Sequence, residues 1–596
     1  MKLPLIFNHN SMFRITLFLL IGTLSLNSCK KEETQRPNVV LILTDDQGWG
    51  DLSLHKNPYV QTPNLDKMAA AGASFERYYV SPLCAPTRAS LLTGKYHLRT
   101  GVTSVTGGYE RMRSEETTIA EAFKANGYAT GAFGKWHNGE HFPEDPIGQG
   151  FEEFYGFCAG HWNNYFDSPV QSQFEMIESE GYLPDVLTTK AIEFIDKNKE
   201  ESFFCYLPLN IPHSPHQIAD KYFDKYKAMG LDDELSSIYG MVENIDDNVG
   251  RVLKYLEESG LSENTIVLFM SDNGPNGQRF NGNMKGIKGH VDEGGVRSPL
   301  FVNWKNTISE NFVISDLAAH IDIFPTLIEL CNLNVEKRPD FDGISIADLL
   351  TQKQKSLPER EIYSIRSFDG TSQPYPASVR TPQFRWVTEK DGNRLYNMVS
   401  DPEQKQDIID EFPELNRQFF DKFNAWYKRA TADLSEDSRI AVPIGYDEVN
   451  RVELQAPESR FTGNIRFFEG HGWANDWLTD WKSSSDSIWW ELDAVQSQQY
   501  DVFVKYACNE QNVGSEFTLS LNDQQFSAKI TEAHDPKPIH SPDRIPRKEA
   551  YEKVWKEFKI GTINVPEGKH KVYLRAKKIA NETVGDIKGL VFRRVD

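Results

Sequence analysis

Continuous apolar runs rich in β-branched residues constrain the fold of this chain most. Asn38–Thr44 reads NVVLILT, and similar runs occur at Tyr128–Phe133, Phe203–Leu207 and Thr265–Met270. Such runs are typical of strands buried on both faces of a parallel sheet, because a half-solvated strand alternates apolar and polar residues. Helical patterns lie between them, at Pro63–Ala71, Thr118–Asn126, Asp185–Asn198 and Leu235–Glu258. This alternation predicts an α/β fold with a large, mostly parallel sheet between helices.

The pattern of elements changes twice toward the C-terminus. After residue 357 the elements become shorter, with strands expected near Ile362–Ser364 and Phe384–Thr388 and a helix near Pro413–Ala430. The last 146 residues are rich in strand patterns, and five of the 12 tryptophans lie between Trp473 and Trp490. Those tryptophans would either stack on sugar rings or fill a sandwich core. We predict a catalytic domain at 37–357, an α+β subdomain at 358–434, a linker at 435–450, and an appended β-sandwich at 451–596 that would be either carbohydrate-binding or structural.

The charge balance excludes one large class of partners. The 596 residues include 65 Lys and Arg against 86 Asp and Glu, which gives a net charge of −21. A body this acidic repels polyphosphate, so no nucleic-acid partner is expected. An anionic glycan would have to be attracted by a local basic site. Six cysteines in a chain of this length do not indicate a disulfide scaffold.

The N-terminus has the pattern of a targeting segment. Lys2 and Arg14 precede the apolar stretch Ile15–Leu26, which is shorter than the roughly 20 residues that span a bilayer. The stretch ends Leu-Asn-Ser-Cys29, which resembles a bacterial lipobox. The resemblance implies a signal peptide at 1–28, lipidation of Cys29 and a short tether at 29–36. The protein would then be a cell-envelope lipoprotein on the outer membrane, facing the periplasm or the cell surface, and held only by its lipid anchor. An ordinary signal peptide with a chance cysteine is the alternative.

Polar side chains follow the ends of all four predicted strands. In chain order they are Asp45 and Asp46, Lys135 and His137, His213, and Asp272 and Asn273. A single aspartate after a strand is commonly a turn former or helix cap. Four such coincidences favour one site, because ligands of open α/β sheets bind at the carboxyl ends of strands. Three aspartates and one asparagine form an all-oxygen ligand set, which suits Ca²⁺, or Mg²⁺ as second choice, better than zinc.

A second cluster surrounds Cys84. Pro86 fits the first turn of a helix and Gly94 fits its end, so Cys84 is expected at the helix N-terminus. Backbone N–H groups favour an anion there, and Arg88, four residues later, shares the helix face of Cys84. Cys84 is therefore either a candidate nucleophile or a buried thiol.

The sequence from Cys84 to Arg88, CAPTR, followed by Leu92-Thr93-Gly94, resembles the signature of the formylglycine-dependent sulfatases of the alkaline-phosphatase-like superfamily. The commonest signature has serine where this chain has Thr87. Further segments resemble family motifs in the same order: residues 44–51 (TDDQGWGD), 62–66 (TPNLD), 134–137 (GKWH), 212–215 (PHSP), 271–274 (SDNG), and Lys288-Gly289 with 293–297 (EGGVR). The resemblance extends from about residue 37 to residue 430.

The resemblance implies a role for each matched residue. Cys84 would be oxidised to formylglycine by a maturation enzyme, and its hydrate would be both the nucleophile and a metal ligand. The other implied metal ligands are Asp45, Asp46, Asp272 and Asn273. Implied catalytic roles are support of the hydrate by Arg88, sulfate binding by Lys135 and Lys288, protonation of the leaving oxygen by His213, either alone or shared with Lys288, and removal of a hydrate proton by His137.

Three residues near the matched motifs remain open. Lys285 competes with Lys288 for sulfate, although the spacing to the EGG element favours Lys288. His216 and His290 would either touch substrate or stay solvated in loops.

The leading functional hypothesis is a sulfatase acting on a sulfated polysaccharide or its oligosaccharides, either marine algal, such as ulvan or carrageenan, or glycosaminoglycan. One alternative is a phosphomonoester or phosphonate hydrolase of the same superfamily. The two-zinc members need additional Asp and His ligands and usually a Ser or Thr nucleophile, whereas this chain has Cys84. A non-catalytic glycan-binding lipoprotein is a further alternative, but every catalytic position is filled.

Overall fold

The computed structural model describes residue 1 and residues 36–336, 338–367, 370, 373–435 and 437–595. The predicted signal peptide beyond its first residue, the lipidated Cys29 and most of the tether lie outside these described residues. Within them, none of the helices combines the length and the apolar character that crossing a membrane requires.

The N-terminal part of the chain alternates strands with helices. Its strands are β1 (Asn38–Asp45), β2 (Ala73–Phe75), β3 (Tyr78–Tyr79), β4 (Ala129–Lys135), β5 (Glu153–Phe157), β6 (Pro169–Ser172), β7 (Glu175–Glu178), β8 (Phe203–Pro212), β9 (Thr265–Ser271), β10 (Arg297–Ser298), β11 (Leu300–Asn303), β12 (Phe312–Ile314) and β13 (Ala318–Ala319). Its helices are α1 (Pro63–Ala70), α2 (Cys84–Thr93), α3 (Ile119–Ala125), α4 (Leu183–Lys197), α5 (Asp220–Ala228), α6 (Asp233–Glu258), α7 (Glu293–Val296), α8 (Ile323–Leu330) and α9 (Ala347–Leu350).

Ten of these strands form one sheet in the order β12-β2-β11-β9-β1-β8-β4-β5-β6-β7. The central strand β1 runs parallel to both β8 and β9, and β4 runs parallel to β8 and β5. Antiparallel pairs, such as β9 with β11 and β5 with β6, occur toward the edges. The predicted α/β fold is confirmed.

The burial of β1 explains its continuous apolar sequence. Val39 and Leu41 belong to a core that includes Phe123 of α3, whereas Val40 and Ile42 belong to a second core with helices α4 and α6 on the opposite face. Both faces of the sheet are therefore covered, and successive residues of β1 contribute to different cores.

A smaller antiparallel sheet follows, with strands in the order β14-β15-β16-β17. Its elements are β14 (Ile362–Ile365), β15 (Ala377–Arg380), β16 (Phe384–Glu389), β17 (Gly392–Asn397) and α10 (Pro413–Ala430). Apolar residues of α10, including Phe423 and Trp426, pack with Trp386 of β16 in one core. Tyr96 and Leu98, which follow α2, belong to the same core, as do Tyr79 of β3 and Ala319 of β13, so the smaller sheet packs beside α2 and these short strands.

Glu293 at the start of α7 joins strand β3 to strand β16 of the smaller sheet through buried polar contacts. Its carboxylate lies 2.7 Å from Arg385 Nη2 and accepts a hydrogen bond from the Tyr79 hydroxyl (2.9 Å). Burial raises the pKa of Glu293, but the charges of Arg385, Arg380 and Arg297 outweigh it and lower the pKa to about 2.

We expect Glu293→Gln to lower the free energy of unfolding by about 3–5 kcal/mol, because it leaves buried Arg385 without a counter-charge. Urea denaturation measures this, and Glu193→Gln at an exposed position is the control, with a change below about 0.5 kcal/mol. A carboxylate with a lowered pKa stabilises the fold above its unfolded value of about 4.3 and loses this effect as the pH falls toward 2. The difference in the free energy of unfolding between wild type and Glu293→Gln should therefore shrink below about pH 4. A difference that stays constant with pH would show that the charge of Glu293 is not the cause of the stabilisation.

The C-terminal part of the chain is a two-sheet β structure. Its strands are β18 (Val442–Ile444), β19 (Arg451–Gln455), β20 (Arg460–Phe461), β21 (Arg466–Phe467), β22 (Leu478–Thr479), β23 (Ser487–Ala494), β24 (Gln498–Ala507), β25 (Glu516–Leu521), β26 (Gln524–Lys529), β27 (Lys556–Val565), β28 (Gly568–Lys578) and β29 (Asp586–Arg594). One sheet has the order β18-β23-β28-β25-β26 with β20 beside β23, and the other has β21-β22-β29-β24-β27 with β19 beside β29. Residues of both sheets share one apolar core.

Two details of this region bear on the sequence-based expectations. Strand β18 lies within the stretch 435–450 expected as a linker and pairs with β23, so the first sheet begins before residue 451. Trp477, Trp481 and Trp490 are fully buried, so these three contribute to packing and are not available to stack on a sugar. Short 3₁₀ helices complete the described fold, at Ser53–His55, His97–Thr100, Ser262–Asn264, His320–Asp322, Ile409–Glu411, Ala456–Glu458 and Glu510–Asn512.

Candidate active site

The two aspartate motifs meet at the carboxyl ends of the neighbouring parallel strands β1 and β9. The Asp272 N–H donates to the carbonyl oxygen of Thr44 (3.0 Å), and the Asp46 N–H donates to Asp272 Oδ1 (3.2 Å). Asp46 has a positive φ of 68°, which turns the chain sharply after β1. The three aspartates and Asn273 are all completely buried. Carboxylates that are distant in sequence are thereby held in one enclosed site.

Cys84 is the first residue of helix α2, as the sequence predicts. The helix ends at Thr93, and Gly94 caps it with a φ of 68°; a Cβ there would lie 2.6 Å from the Phe341 ring. The Thr87 hydroxyl accepts a hydrogen bond from the Ser81 N–H (2.9 Å) and donates to the Ser81 carbonyl oxygen (3.3 Å). Threonine therefore provides a hydroxyl that fixes the loop before the helix, which serine would also supply.

Arg88 connects helix α2 to both aspartate motifs. Its Nη2 and Nε lie 2.8 and 3.1 Å from Asp272 Oδ2, and its Nη1 donates to the Lys135 carbonyl oxygen (2.6 Å). Asp45 Oδ2 lies 3.9 Å from the same guanidinium. Because Arg88 is completely buried, these contacts fix the position of α2, and therefore of Cys84, relative to the sheet.

Two lysines neutralise the remaining carboxylates. Lys135 Nζ lies 2.6 Å from Asp45 Oδ2, and Lys288 Nζ lies 2.6 Å from Asp46 Oδ1. Burial raises the pKa of Asp45, but the charges of Lys135, His213, Arg88 and Lys288 outweigh it and hold the pKa well below its usual range. Three cationic side chains thus face three carboxylates, so the charges of these six side chains balance. A divalent cation held by the same carboxylates would make the site positive toward an anionic substrate.

The oxygen atoms of this cluster fit a hard divalent cation. Asp45 Oδ1, Asp46 Oδ2 and Asn273 Oδ1 are buried and have no hydrogen-bond partner. The Asn273 amide nitrogen donates to Asp46 Oδ1 (2.8 Å), which directs nitrogen and oxygen of this side chain to different partners. Ligand atoms of Asp45, Cys84 and Asp272 lie within 4.8 Å of one another. Buried oxygens without partners are costly unless a cation binds them, so these residues could hold Ca²⁺ or Mg²⁺.

The two histidines expected at the site have different surroundings. His137 Nε2 lies 2.9 Å from the Val105 carbonyl oxygen and its buried Nδ1 has no partner, while burial, reinforced by the charge of Lys135, holds its pKa well below the usual value. His213 Nδ1 lies 2.6 Å from the Ser214 carbonyl oxygen and therefore carries the proton, which leaves Nε2 directed toward Asp46 Oδ2 at 3.8 Å. His137 is thus a neutral imidazole that can accept a proton, and His213 lies at the carboxylate cluster itself.

The three residues that the sequence left open are placed by the structure. Lys285 Nζ contacts the Tyr396 hydroxyl (3.0 Å) and Asp292 (3.3 Å), whereas Lys288 contacts Asp46, so Lys288 is the lysine of the site. His290 is exposed and accepts a hydrogen bond from the Ile287 N–H (3.1 Å). His216 is partly exposed beside the loop that carries His213.

Sequence reasoning missed three polar residues at the site. Arg279 donates to the Asp46 carbonyl oxygen (2.7 Å) and is paired with Asp51 (2.7 Å), so it supports the turn after β1. His161 and Glu549 lie beside His213, with ligand atoms of the three residues within 4.8 Å of one another. No motif marks these positions, and only folding brings Glu549 to the site.

Family comparison agrees with this geometry. The protein-family model described as "Sulfatase" matches residues 37–333. A second family model, described as "N-sulphoglucosamine sulphohydrolase, C-terminal", matches residues 288–426. N-acetylgalactosamine-6-sulfatase of Mus musculus is 32% identical over 370 residues, which are 56% of this chain and 69% of that protein. This chain belongs to the sulfatase family. The predicted membership and the prediction of a sulfuric ester hydrolase are both confirmed.

Other relatives of this sulfatase extend the comparison. Arylsulfatase J of Mus musculus is 29% identical over 476 residues, covering 69% of this chain and 77% of that protein. Among solved structures, Ps i-CgsB in complex with k-i-k-neocarrahexaose has a TM-score of 0.62 and 28% identity, and the match covers 66% of this chain and 93% of that one. A sulfatase from Pseudoalteromonas sp., PsFucS1, has a TM-score of 0.58 at 21% identity and is similar in fold.

Proposed function

We propose that this sulfatase removes sulfate groups from a sulfated polysaccharide or its oligosaccharides, of algal or glycosaminoglycan type, with a formylglycine derived from Cys84 as the source of the nucleophile. The observation that carries the proposal is the position of Cys84 at the start of α2, within ligand distance of Asp45 and Asp272. Similarity to an N-acetylgalactosamine-6-sulfatase and to a protein solved with neocarrahexaose supports a glycan substrate.

The surroundings of Cys84 argue against a thiolate nucleophile. Burial raises the pKa of the Cys84 thiol above its ordinary value, despite the nearby positive charges of Lys135 and Lys288. A protonated thiol is a poor nucleophile. Oxidation of the residue to an aldehyde, which hydrates in water, would replace the thiol by two hydroxyl groups. This change requires a maturation enzyme, which we expect as a partner of the newly made chain.

The basic residues of the cluster would bind the sulfate group. Lys135 is buried and Lys288 is partly buried, and both ammonium groups can hold sulfate oxygens as point charges. Arg88, through Asp272, fixes the helix that carries residue 84. A divalent cation held by Asp45, Asp46, Asp272 and Asn273 would supply Lewis acidity toward a sulfate oxygen.

The two histidines would carry out two different proton transfers, one to the leaving group and one from residue 84. His213 would protonate the leaving sugar oxygen from Nε2, at the side of the ring that faces Asp46. This role requires the imidazolium form, because Nδ1 already donates its proton to the Ser214 carbonyl oxygen. His137, neutral and with a free ring nitrogen, would accept a proton from the second hydroxyl of residue 84. That proton transfer would expel sulfate by elimination and regenerate the aldehyde, so no water needs to attack sulfur.

We also propose that the protein works in the bacterial cell envelope as a lipoprotein anchored through Cys29. The pattern of the first 29 residues supports this proposal. Cys29→Ser should release the enzyme from the membrane fraction while leaving its activity intact; unchanged membrane association would contradict lipid anchoring.

We expect Ca²⁺ to be the metal, with Mg²⁺ as second choice. Removal of the metal by a chelator should abolish activity, because it removes the Lewis acid and leaves the buried oxygens Asp45 Oδ1, Asp46 Oδ2 and Asn273 Oδ1 without a partner. Addition of a hard divalent cation should restore activity, and elemental analysis of the purified enzyme should identify the ion. Stoichiometric zinc would contradict the assignment and favour the phosphatase alternative.

Release of sulfate from defined oligosaccharides tests the function. Oligosaccharides of carrageenan, ulvan, chondroitin sulfate and heparan sulfate are compared with phosphomonoesters and phosphonate esters under the same conditions. We expect inorganic sulfate from at least one oligosaccharide. Preferred hydrolysis of phosphorus esters would contradict the proposal, and binding of glycans without turnover would indicate the non-catalytic alternative.

A further inference from the structure

The C-terminal β structure reaches His213 of the active site through residues 541–552, which we name the docking segment. It lies between β26 and β27, in the longest connection of that region. It contacts two loops of the catalytic domain, residues 161–165 and 213–218. The second of these loops carries His213, so the docking segment lies directly beside the proposed catalytic machinery.

Polar contacts hold the docking segment against the loop 213–218. The Arg544 N–H donates to the His216 carbonyl oxygen (3.0 Å), and its Nη2 donates to the Ile218 carbonyl oxygen (2.8 Å). The Gln217 amide donates to Ser541 Oγ and to Asp543 Oδ1, both at 2.7 Å. These contacts join the buried Gln217 side chain and two backbone carbonyl oxygens to partly buried residues of the docking segment, which is typical of a fixed interface.

Arg547 holds the docking segment against the other loop. Its side chain is almost completely buried and pairs with Asp543 at 2.6 Å. Its Nη1 donates to the Asn163 carbonyl oxygen (2.7 Å), and the Glu552 N–H donates to Asn163 Oδ1 (2.9 Å). The two ends of the docking segment are therefore fixed, and the position of Glu549 between them is determined.

Glu549 points at the histidines of the site. One of its carboxylate oxygens accepts a hydrogen bond from the Ser214 hydroxyl (2.6 Å), next to His213. His161 lies near both Glu549 and His213, and its ring centroid is 6.2 Å from that of His213. His161 is only 4% exposed, and neither of its ring nitrogens has a partner. A buried imidazole whose nitrogens have no hydrogen-bond partner, beside a carboxylate held in place, indicates a site that binds a polar ligand.

We propose that Glu549 and His161 form a subsite for hydroxyl groups of the sugar ring that bears the sulfate, so that the C-terminal domain contributes to substrate recognition. A carboxylate accepts hydrogen bonds from hydroxyl groups, and an imidazole can donate or accept one. The proposal rests on the proposed function and goes beyond it, because it assigns specificity to a segment outside the matched family ranges.

The test measures binding and turnover separately. Glu549→Gln and His161→Gln are compared with Lys548→Gln, a control that removes an exposed charge from the same segment. For each, kcat and KM are measured with 4-nitrophenyl sulfate and with the oligosaccharide that the wild type desulfates fastest. Calorimetry then measures the Kd of that oligosaccharide in a Cys84→Ala background, which has no nucleophile at residue 84.

We expect the Kd and KM for the oligosaccharide to rise about 10-fold or more in Glu549→Gln and in His161→Gln, the effect of losing a hydrogen bond to a charged or buried group. The loss of kcat/KM should be at least about 10-fold larger for the oligosaccharide than for the aryl sulfate, which has no sugar hydroxyls. Lys548→Gln should behave like the wild type. If one variant does not fold, judged by its thermal unfolding, the other carries the test.

Two results would overturn the subsite. An unchanged Kd in both variants would show that these residues act only by positioning His213. Binding of a second metal ion per molecule of wild type, lost in both variants, would show that Glu549 and His161 bind a cation instead of a sugar. If the wild type desulfated no substrate at all, the proposed function would fail. The Kd of a carrageenan oligosaccharide, compared between the variants and the wild type, would still decide whether Glu549 and His161 form a sugar-binding subsite.

Discussion

Replacement of Cys84 by alanine should lower kcat by at least about 10³-fold, because the nucleophile itself is lost. The surrounding charges remain paired without the thiol, since Arg88, Lys135 and Lys288 contact carboxylates rather than Cys84. The fold should therefore persist, and thermal unfolding checks this.

Cys508→Ala, which removes a buried thiol of the C-terminal domain, is the matched control and should keep the wild-type kcat. Expression of the wild type without a formylglycine-generating enzyme should reproduce the Cys84→Ala loss. Substantial turnover by Cys84→Ala would remove residue 84 from the mechanism.

Substitution of the two histidines should separate the two proton transfers. His213→Ala should be mild with an activated aryl sulfate, whose phenolate leaves readily, and should cost about 10²–10⁴-fold with a sugar sulfate, whose alkoxide needs a proton. His137→Ala should release the alcohol once per enzyme and then stall, because the sulfate bound to residue 84 cannot be expelled.

Rapid-quench kinetics measures the burst, and intact-protein mass analysis should detect the trapped sulfate. His290→Ala, at an exposed position near the same motifs, is the control and should show neither effect. Equal losses on both substrates for His213→Ala, together with no adduct in His137→Ala, would mean that the roles are assigned wrongly.

Much of the fold could be predicted from local sequence, because buried strands and their flanking residues carry local signals. The run NVVLILT corresponds to β1, and the Pro86 and Gly94 signals enclose helix α2. The meeting of Asp45 with Asp272 was also predictable, since parallel neighbouring strands bring their carboxyl ends together. The structure adds the antiparallel edges of the large sheet and the early start of the C-terminal sheet at β18, which depend on pairing between distant segments.

The parts of the site that the sequence did not reveal depend on long-range contacts. Glu549 lies in a polar, proline-containing stretch with no strand or helix pattern, and it reaches Ser214 across a sequence separation of 335 residues. His161 lies in a loop with no motif of its own. The spacing to the EGG element already favours Lys288 over Lys285, and the structure adds their different contacts, Asp46 for Lys288 and the Tyr396 hydroxyl for Lys285.

The chemical state of residue 84 in active enzyme tests the central claim most directly. Peptide mass analysis of the purified enzyme should show an aldehyde or its hydrate at position 84. The fraction of molecules that carry this group should rise with the specific activity, measured on the same preparations. Fully active enzyme in which position 84 carries only the unmodified thiol would contradict the account.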